Sequence, residues 1–280
     1  MVDILSVVLH RYGSQLHTSG DIKVSPQTEN STLLVGDKTI TRSLLLLTAL
    51  TAASELEYKV LFFTQSQIQS LPENVQDLSA SLKPDSLKKI RFVYPKTLEE
   101  LLEDVASLHE LVPETVQLPS LLIIDGFERY VRVHGRTQQD SRSATAYIVA
   151  LLHDTAVFLG TRSQKIQQPP CRVIVSYQPE WEGRQGDTFA LDTNLFVLER
   201  YLQVRCNIHK VTDSGEAQNE WMMYLSGPGF QVDDHGTGEK CLGLQWRVVM
   251  HPNGALEFRP ETAPKEQTSG GQHSDCGNEA

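Results

Sequence analysis

The run Leu121-Leu122-Ile123-Ile124 is apolar without alternation and stops at Asp125-Gly126. A strand with one wet face alternates apolar and polar side chains, so an unbroken run belongs to a strand covered on both faces, as in a parallel sheet. Thr32-Leu33-Leu34-Val35, Lys59 to Thr64 (KVLFFT) and Arg172 to Gln178 (RVIVSYQ) are of the same kind. Helical patterns separate them. One starts at Leu44, and one spans Thr97 to Val105, where a capping Thr is followed three residues later by Glu100. A third spans Ala144 to Leu159. Alternating β and α segments imply an α/β protein with a doubly wound, mainly parallel sheet. Lys89 to Tyr94 alternates and is stopped by Pro95, which suits an edge or half-buried strand. From about residue 196 only strand patterns follow, at 202–209, 220–225, 244–250 and 255–258, and these are expected to extend the same sheet in antiparallel fashion.

These signals divide the chain into a leader and linker (1–31), one large domain (32–260) and a disordered tail (261–280). Residues 1–16 suit a short amphipathic element, 17–31 are polar, and the tail lacks the apolar content to fold. No run of ~18 apolar residues is present, so no membrane span is expected. The N-terminal apolar patch after Asp3 is too short for a signal segment, which leaves the cytoplasm or nucleus. The four cysteines are evenly spaced, but their surroundings share nothing and none sits in a zinc or disulfide pattern. Net charge is −10, from 25 basic and 35 acidic residues, which excludes a globally basic nucleic-acid binder. Any such contact must be local.

Ser31 to Ala53 has the strand, turn and helix order of a phosphate-binding loop. In the template G-x-x-x-x-G-K-[ST], backbone N–H groups cradle phosphates, the Lys reaches the terminal phosphate and the hydroxyl holds Mg²⁺. Gly36 and Ser43 match it, whereas Thr41 stands in place of the second Gly and Arg42 in place of the Lys. The nucleotide-binding candidates are therefore Gly36, Asp37, Lys38, Thr39, Ile40, Thr41, Arg42 and Ser43, with Lys38 as an alternative cation. Asp125 is expected on a strand beside the one that feeds this loop, where its carboxylate and the Ser43 hydroxyl would hold Mg²⁺. A solvated strand-end Asp reads the same way. Gln178 ends the next buried strand, placed to sense a terminal phosphate. Thr41 is β-branched where Gly would allow close approach, and Arg is not equivalent to the compact Lys ammonium.

Between Asp125 and Gln178 lies the densest basic segment of an acidic chain: Arg129, Arg132, His134, Arg136 and Arg142, with Tyr130. A basic loop at the sheet's carboxyl edge suits contact with a phosphate backbone. It suits a solvated loop equally. Trp181 to Asp187 is a second loop that adds Arg184 and an aromatic ring.

The succession of phosphate loop, LLIID strand, basic loop, helix and strand ending in Gln resembles the RecA recombinase fold over residues 32–210. The runs KKIRFVYPKTLEELLEDVASLHE, PSLLIIDGFERYV and AYIVALLHDTA look like the divergent recombinase paralogue that pairs with a SWIM-type zinc-finger protein in a Shu-like complex. The resemblance implies a nuclear, DNA-stimulated ATPase acting in homologous recombination repair. Its cofactors would be ATP and Mg²⁺. Its partners would be single-stranded DNA, the SWIM-type protein and other recombinase paralogues, and the DNA loops would hold Arg129, Arg132, Arg136, Arg142 and Arg184. RecA-like ATPases place a catalytic Glu just after the second strand, where this chain has Gln65. Two functions follow: an ATP-dependent accessory factor, or a scaffold that keeps the fold without nucleotide. Without the resemblance, a generic small-molecule binder also fits the pattern, though no catalytic constellation supports it.

Overall fold

The computed structural model describes residues 4–13, 31–68, 84–111, 117–132, 135, 137–165, 167–179, 192–211, 219–228, 244–253 and 255–261. In chain order the elements are α1 (Ile4–Tyr12), β1 (Thr32–Val35), α2 (Lys38–Glu55), β2 (Val60–Thr64), α3 (Pro84–Leu87), β3 (Ile90–Val93) and α4 (Leu98–Ala106), which runs on into a 3-10 turn. Then come β4 (Leu121–Asp125), α5 (Glu128–Val131), α6 (Gln138–Lys165), β5 (Arg172–Tyr177), α7 (Thr193–Tyr201), β6 (Val204–Lys210), β7 (Asn219–Ser226), β8 (Leu244–Met250) and β9 (Leu256–Pro260).

Among the described residues, nine strands lie in one sheet, in the order β3-β2-β4-β5-β1-β6-β7-β8-β9. The pairs from β3 to β6 are parallel. Those from β6 to β9 are antiparallel, as the change of pattern near residue 196 implies. The strand with the alternating pattern, β3, is at the edge, and its Arg91 is exposed.

The unbroken apolar strands supply two cores at once. Leu34, Phe62, Ile123 and Ile174 point into one with α1 and α2. Their neighbours Leu33, Phe63, Ile124 and Val175 point into the other with α4, α6 and α7. Successive side chains alternate across a sheet, so a strand that buries both sets must be apolar throughout.

Three findings depart from the sequence reading. Residues 4–12 form the short amphipathic element expected over 1–16, but it packs on α2 and β9 and so belongs with the domain. Ile4, Leu5, Val8 and Leu9 are at most 2% exposed, and burying each is worth roughly 1.5–3 kcal/mol. Residues 38–43, expected as loop, already belong to α2. The cause is Asp37, an N-cap in extended conformation whose carboxylate accepts from the Thr39 amide at 2.8 Å. Finally, β5 separates β4 from β1, so Asp125 does not lie on the strand beside the one that feeds Gly36.

Among the described residues, α6 is the single helix with the length and apolar content to cross a bilayer. Here it covers the sheet through Ile148, Val149, Leu152 and Leu159. Its start is fixed by a reciprocal cap: Thr137 Oγ1 accepts from the Asp140 amide and Asp140 Oδ2 from the Thr137 amide, both at 3.1 Å.

Candidate functional site

The parallel strands end together, bringing Gly36 after β1, Thr64 on β2, Asp125 on β4 and Gln178 after β5 to one edge of the sheet. Gly36 is there for packing. A Cβ at this position would stand 2.8 Å from the Ile208 carbonyl oxygen and 2.9 Å from its Cβ, so β6 approaches as only glycine allows. One residue, Asp37, separates Gly36 from α2. Its carboxylate occupies the helix N-terminus, where an anionic ligand would otherwise find free amides. Lys38 and Thr39 are exposed. Ile40 is in the core, and Thr41 is 2% exposed, its hydroxyl bonded to the Asp37 carbonyl at 2.9 Å. The Ser43 hydroxyl donates back to the Thr39 carbonyl at 3.1 Å.

Arg42 turns inward. Its Nη2 donates to the Ser66 carbonyl at 2.9 Å, and its Nε lies 3.5 Å from Asp125 Oδ2. The same carboxylate oxygen accepts from Thr64 Oγ1 at 2.8 Å and from Arg129 Nη2 at 3.3 Å. Arg129 also donates to the Asp125 carbonyl at 2.8 Å and to Ser66 Oγ at 3.0 Å. Its guanidinium lies where a Cβ of residue 126 would project, and residue 126 is a glycine at φ +71°. Gln65, the first residue after β2, uses its amide Nε2 to donate to the Lys96 carbonyl at 3.1 Å and the Arg129 carbonyl at 3.4 Å.

A second cluster ties the start of the loop after β4 to the end of β5. Arg132 donates to the Gln178 carbonyl at 2.9 Å, to the Tyr177 hydroxyl at 2.6 Å and to Asp192 Oδ2 at 2.9 Å. Its guanidinium also sits 4.9 Å from the Tyr177 ring centroid. The Tyr177 hydroxyl donates to Asp192, which also caps α7 through the amides of Asn194 and Leu195. Burial, reinforced by the Asp192 charge, pushes the Tyr177 hydroxyl well above its usual range, so it stays a donor. Glu128 Oε2 accepts from the Gln178 amide at 3.1 Å, and burial raises its carboxyl above the usual value despite that bond and nearby Arg129 and Arg132. The contribution of Gln178 thus runs through its main chain.

Among the DNA-binding candidates, Arg129 and Arg132 are held in these internal networks, and Arg142 is exposed on the first turns of α6. Arg136, Arg184 and the loop 181–187 lie outside the described residues. Sequence reasoning missed Thr64, Ser66, Glu128, Tyr177 and Asp192. Of these, only Asp192 carries a local signal, an acid just before a helical pattern.

The donor set does not fit Mg²⁺ and a nucleoside triphosphate. The carboxylate that would face the metal already has two guanidinium partners, the hydroxyl that would ligate it is turned into its own helix, and an acid caps the helix where phosphates would bind.

No protein-family model matches the chain. The curated human protein ATPase SWSAP1 is 31% identical over 245 residues, covering 85% of this chain and 91% of that protein. The mouse protein of the same name is 34% identical over 249 residues, covering 85% and 75%. Among solved structures, a KaiC-like protein of the archaeon Pyrococcus horikoshii superposes with a TM-score of 0.50 at 13% identity, covering 82% of this chain and 89% of that one. This likeness shows the fold, which is RecA-like with the antiparallel extension expected from the sequence. The identity to the human and mouse proteins, sustained over most of both lengths, makes this chain a member of the SWSAP1 family.

Proposed function

We propose that this chain is an accessory factor of homologous recombination repair that binds single-stranded DNA and a SWIM-type zinc-finger partner in the nucleus, serving as a scaffold and not as a working ATPase. The membership and the RecA-like fold support the recombination role. The observation that carries the scaffold assignment is Asp125, whose carboxylate is held by Arg42 and Arg129. DNA contact is assigned to Arg142, exposed on α6, with Arg136 and Arg184 as sequence candidates.

Fluorescence anisotropy with labelled oligothymidine tests this. Arg136→Ala/Arg142→Ala is expected to weaken binding several-fold and to flatten its salt dependence by roughly 0.7 in the log–log slope for each phosphate no longer neutralised. Unchanged affinity and slope would remove these residues from the DNA site. A nucleotide-dependent role has one observation in its favour: Asp125 Oδ1 is buried without a hydrogen-bond partner. Saturable binding of a fluorescent ATP analogue with Mg²⁺, abolished in Asp125→Ala, would restore that role.

A further inference from the structure

The sheet's carboxyl edge contains its own counter-ions. Asp125 is 1% exposed in its side chain, and a carboxylate so buried requires positive charge or donors close by. Arg42 and Arg129 provide both, from α2 and from α5. Neither is loosely held. Arg42 is anchored a second time on the Ser66 carbonyl at 2.9 Å, and Arg129 on Ser66 Oγ at 3.0 Å. A side chain at position 126 would displace the Arg129 guanidinium, so the glycine there and the arginine form a matched pair. Glu128 lies 3.9 Å from Arg129 Nε and adds an acid beside that guanidinium. One carboxylate, Asp125, already faces two guanidiniums, which leaves a divalent cation no uncompensated negative charge at this position.

From this we infer that Arg42 and Arg129 are positioning residues that replace nucleotide and metal. They join α2, the end of β2 and the described residues just after β4 into one unit, held with no ligand bound. The inference rests on the proposed function only in its DNA-binding readout. The ion-pair unit and its independence from nucleotide are separate from it.

The experiment measures thermal unfolding and oligothymidine binding of the full chain, each with and without Mg-ATP. It uses wild type, Arg42→Gln, Asp125→Asn and the double variant. Expected results are an unchanged wild-type Tm with Mg-ATP and equal DNA affinity with and without it. Each single variant should lower Tm by several degrees, and the double variant by clearly less than the sum, because both changes remove the same Arg42–Asp125 contact. A wild-type Tm that rises saturably with Mg-ATP would overturn the inference, since a ligand of the native state stabilises by mass action. Additive losses in the double variant would overturn it as well. Should a variant fail to fold, the wild-type response to Mg-ATP still decides. Absence of DNA binding by the wild type with the expected Tm pattern would sink the proposed function and leave the built-in counter-ions standing.

Discussion

Arg132→Ala separates a structural arginine from a ligand-binding one. The side chain is 20% exposed and donates hydrogen bonds at 2.9, 2.6 and 2.9 Å to Gln178, Tyr177 and Asp192. A bond involving a charged group contributes about 1.5–3 kcal/mol net. These bonds do not add, because Asp192 keeps the Tyr177 hydroxyl and two α7 amides and is not left unsatisfied. The Gln178 carbonyl loses the Arg132 donor, and the Tyr177 ring loses a cation at 4.9 Å. A net loss of about 2–3 kcal/mol results, which for a domain of this size lowers Tm by about 5–10 °C. Differential scanning fluorimetry reads this directly, with urea unfolding as a check on the free energy. Oligothymidine affinity measured below the transition should change little. The reasoning is refuted if Tm stays within a degree of wild type while affinity collapses, because Arg132 would then touch DNA.

Leu5→Ala, in the buried face of α1, should cost about 2–5 kcal/mol in urea unfolding; a loss under about 0.5 kcal/mol, the scale of a surface change, would mean that α1 docks only loosely. Gly36→Ala should destabilise by about 1–3 kcal/mol because β1 and β6 must part, and the loss should be the same with and without ATP. Glu128 is held above its ordinary value of 4.5, so the fold favours its neutral form and loses stability as pH rises through the raised value. Glu128→Gln should therefore unfold later than wild type at about pH 7.5, with the gap closing as pH falls below the ordinary carboxylate range. A gap that widens on acidification would reverse the assignment of burial as the main cause. Thr97→Ala removes the cap of α4 and should lower stability in urea unfolding by about 1 kcal/mol.

The sheet was legible because burial on both faces leaves a mark on every residue of a strand. Thr32–Val35 and Leu121–Asp125 are strands where their composition put them, and β3 is an edge strand as its alternation suggested. Strand order was not legible in the same way: nothing in Leu121–Asp125 records whether β1 or β5 lies next to it. The start of α2 was misplaced for a local reason. Template spacing treats 37–43 as loop, yet Asp37 is a strong capping residue, and Lys38 to Ser43 contain nothing that prevents a helix once it is capped. The partners of the arginines were hidden for a different reason. Arg129 and Arg132 read as solvent-facing charges because their acceptors, Asp125 and Asp192, are four and sixty positions away, and only the fold brings the second pair together. Ser66 offers a carbonyl and a hydroxyl to two arginines from unrelated segments, a role with no sequence signature.

The docking of α1 also sets a schedule for synthesis. Its helix packs on α2, which is made early, and on β9, where Gly13 bridges to Phe258. Phe258 leaves the ribosome 249 positions after Leu9, so at about 5–20 residues per second the apolar stripe of α1 waits roughly 12–50 s for its last cover. During that interval α1 is a sticky segment, open to chaperones and to other nascent chains. The cover of α1 is complete only when β9 arrives.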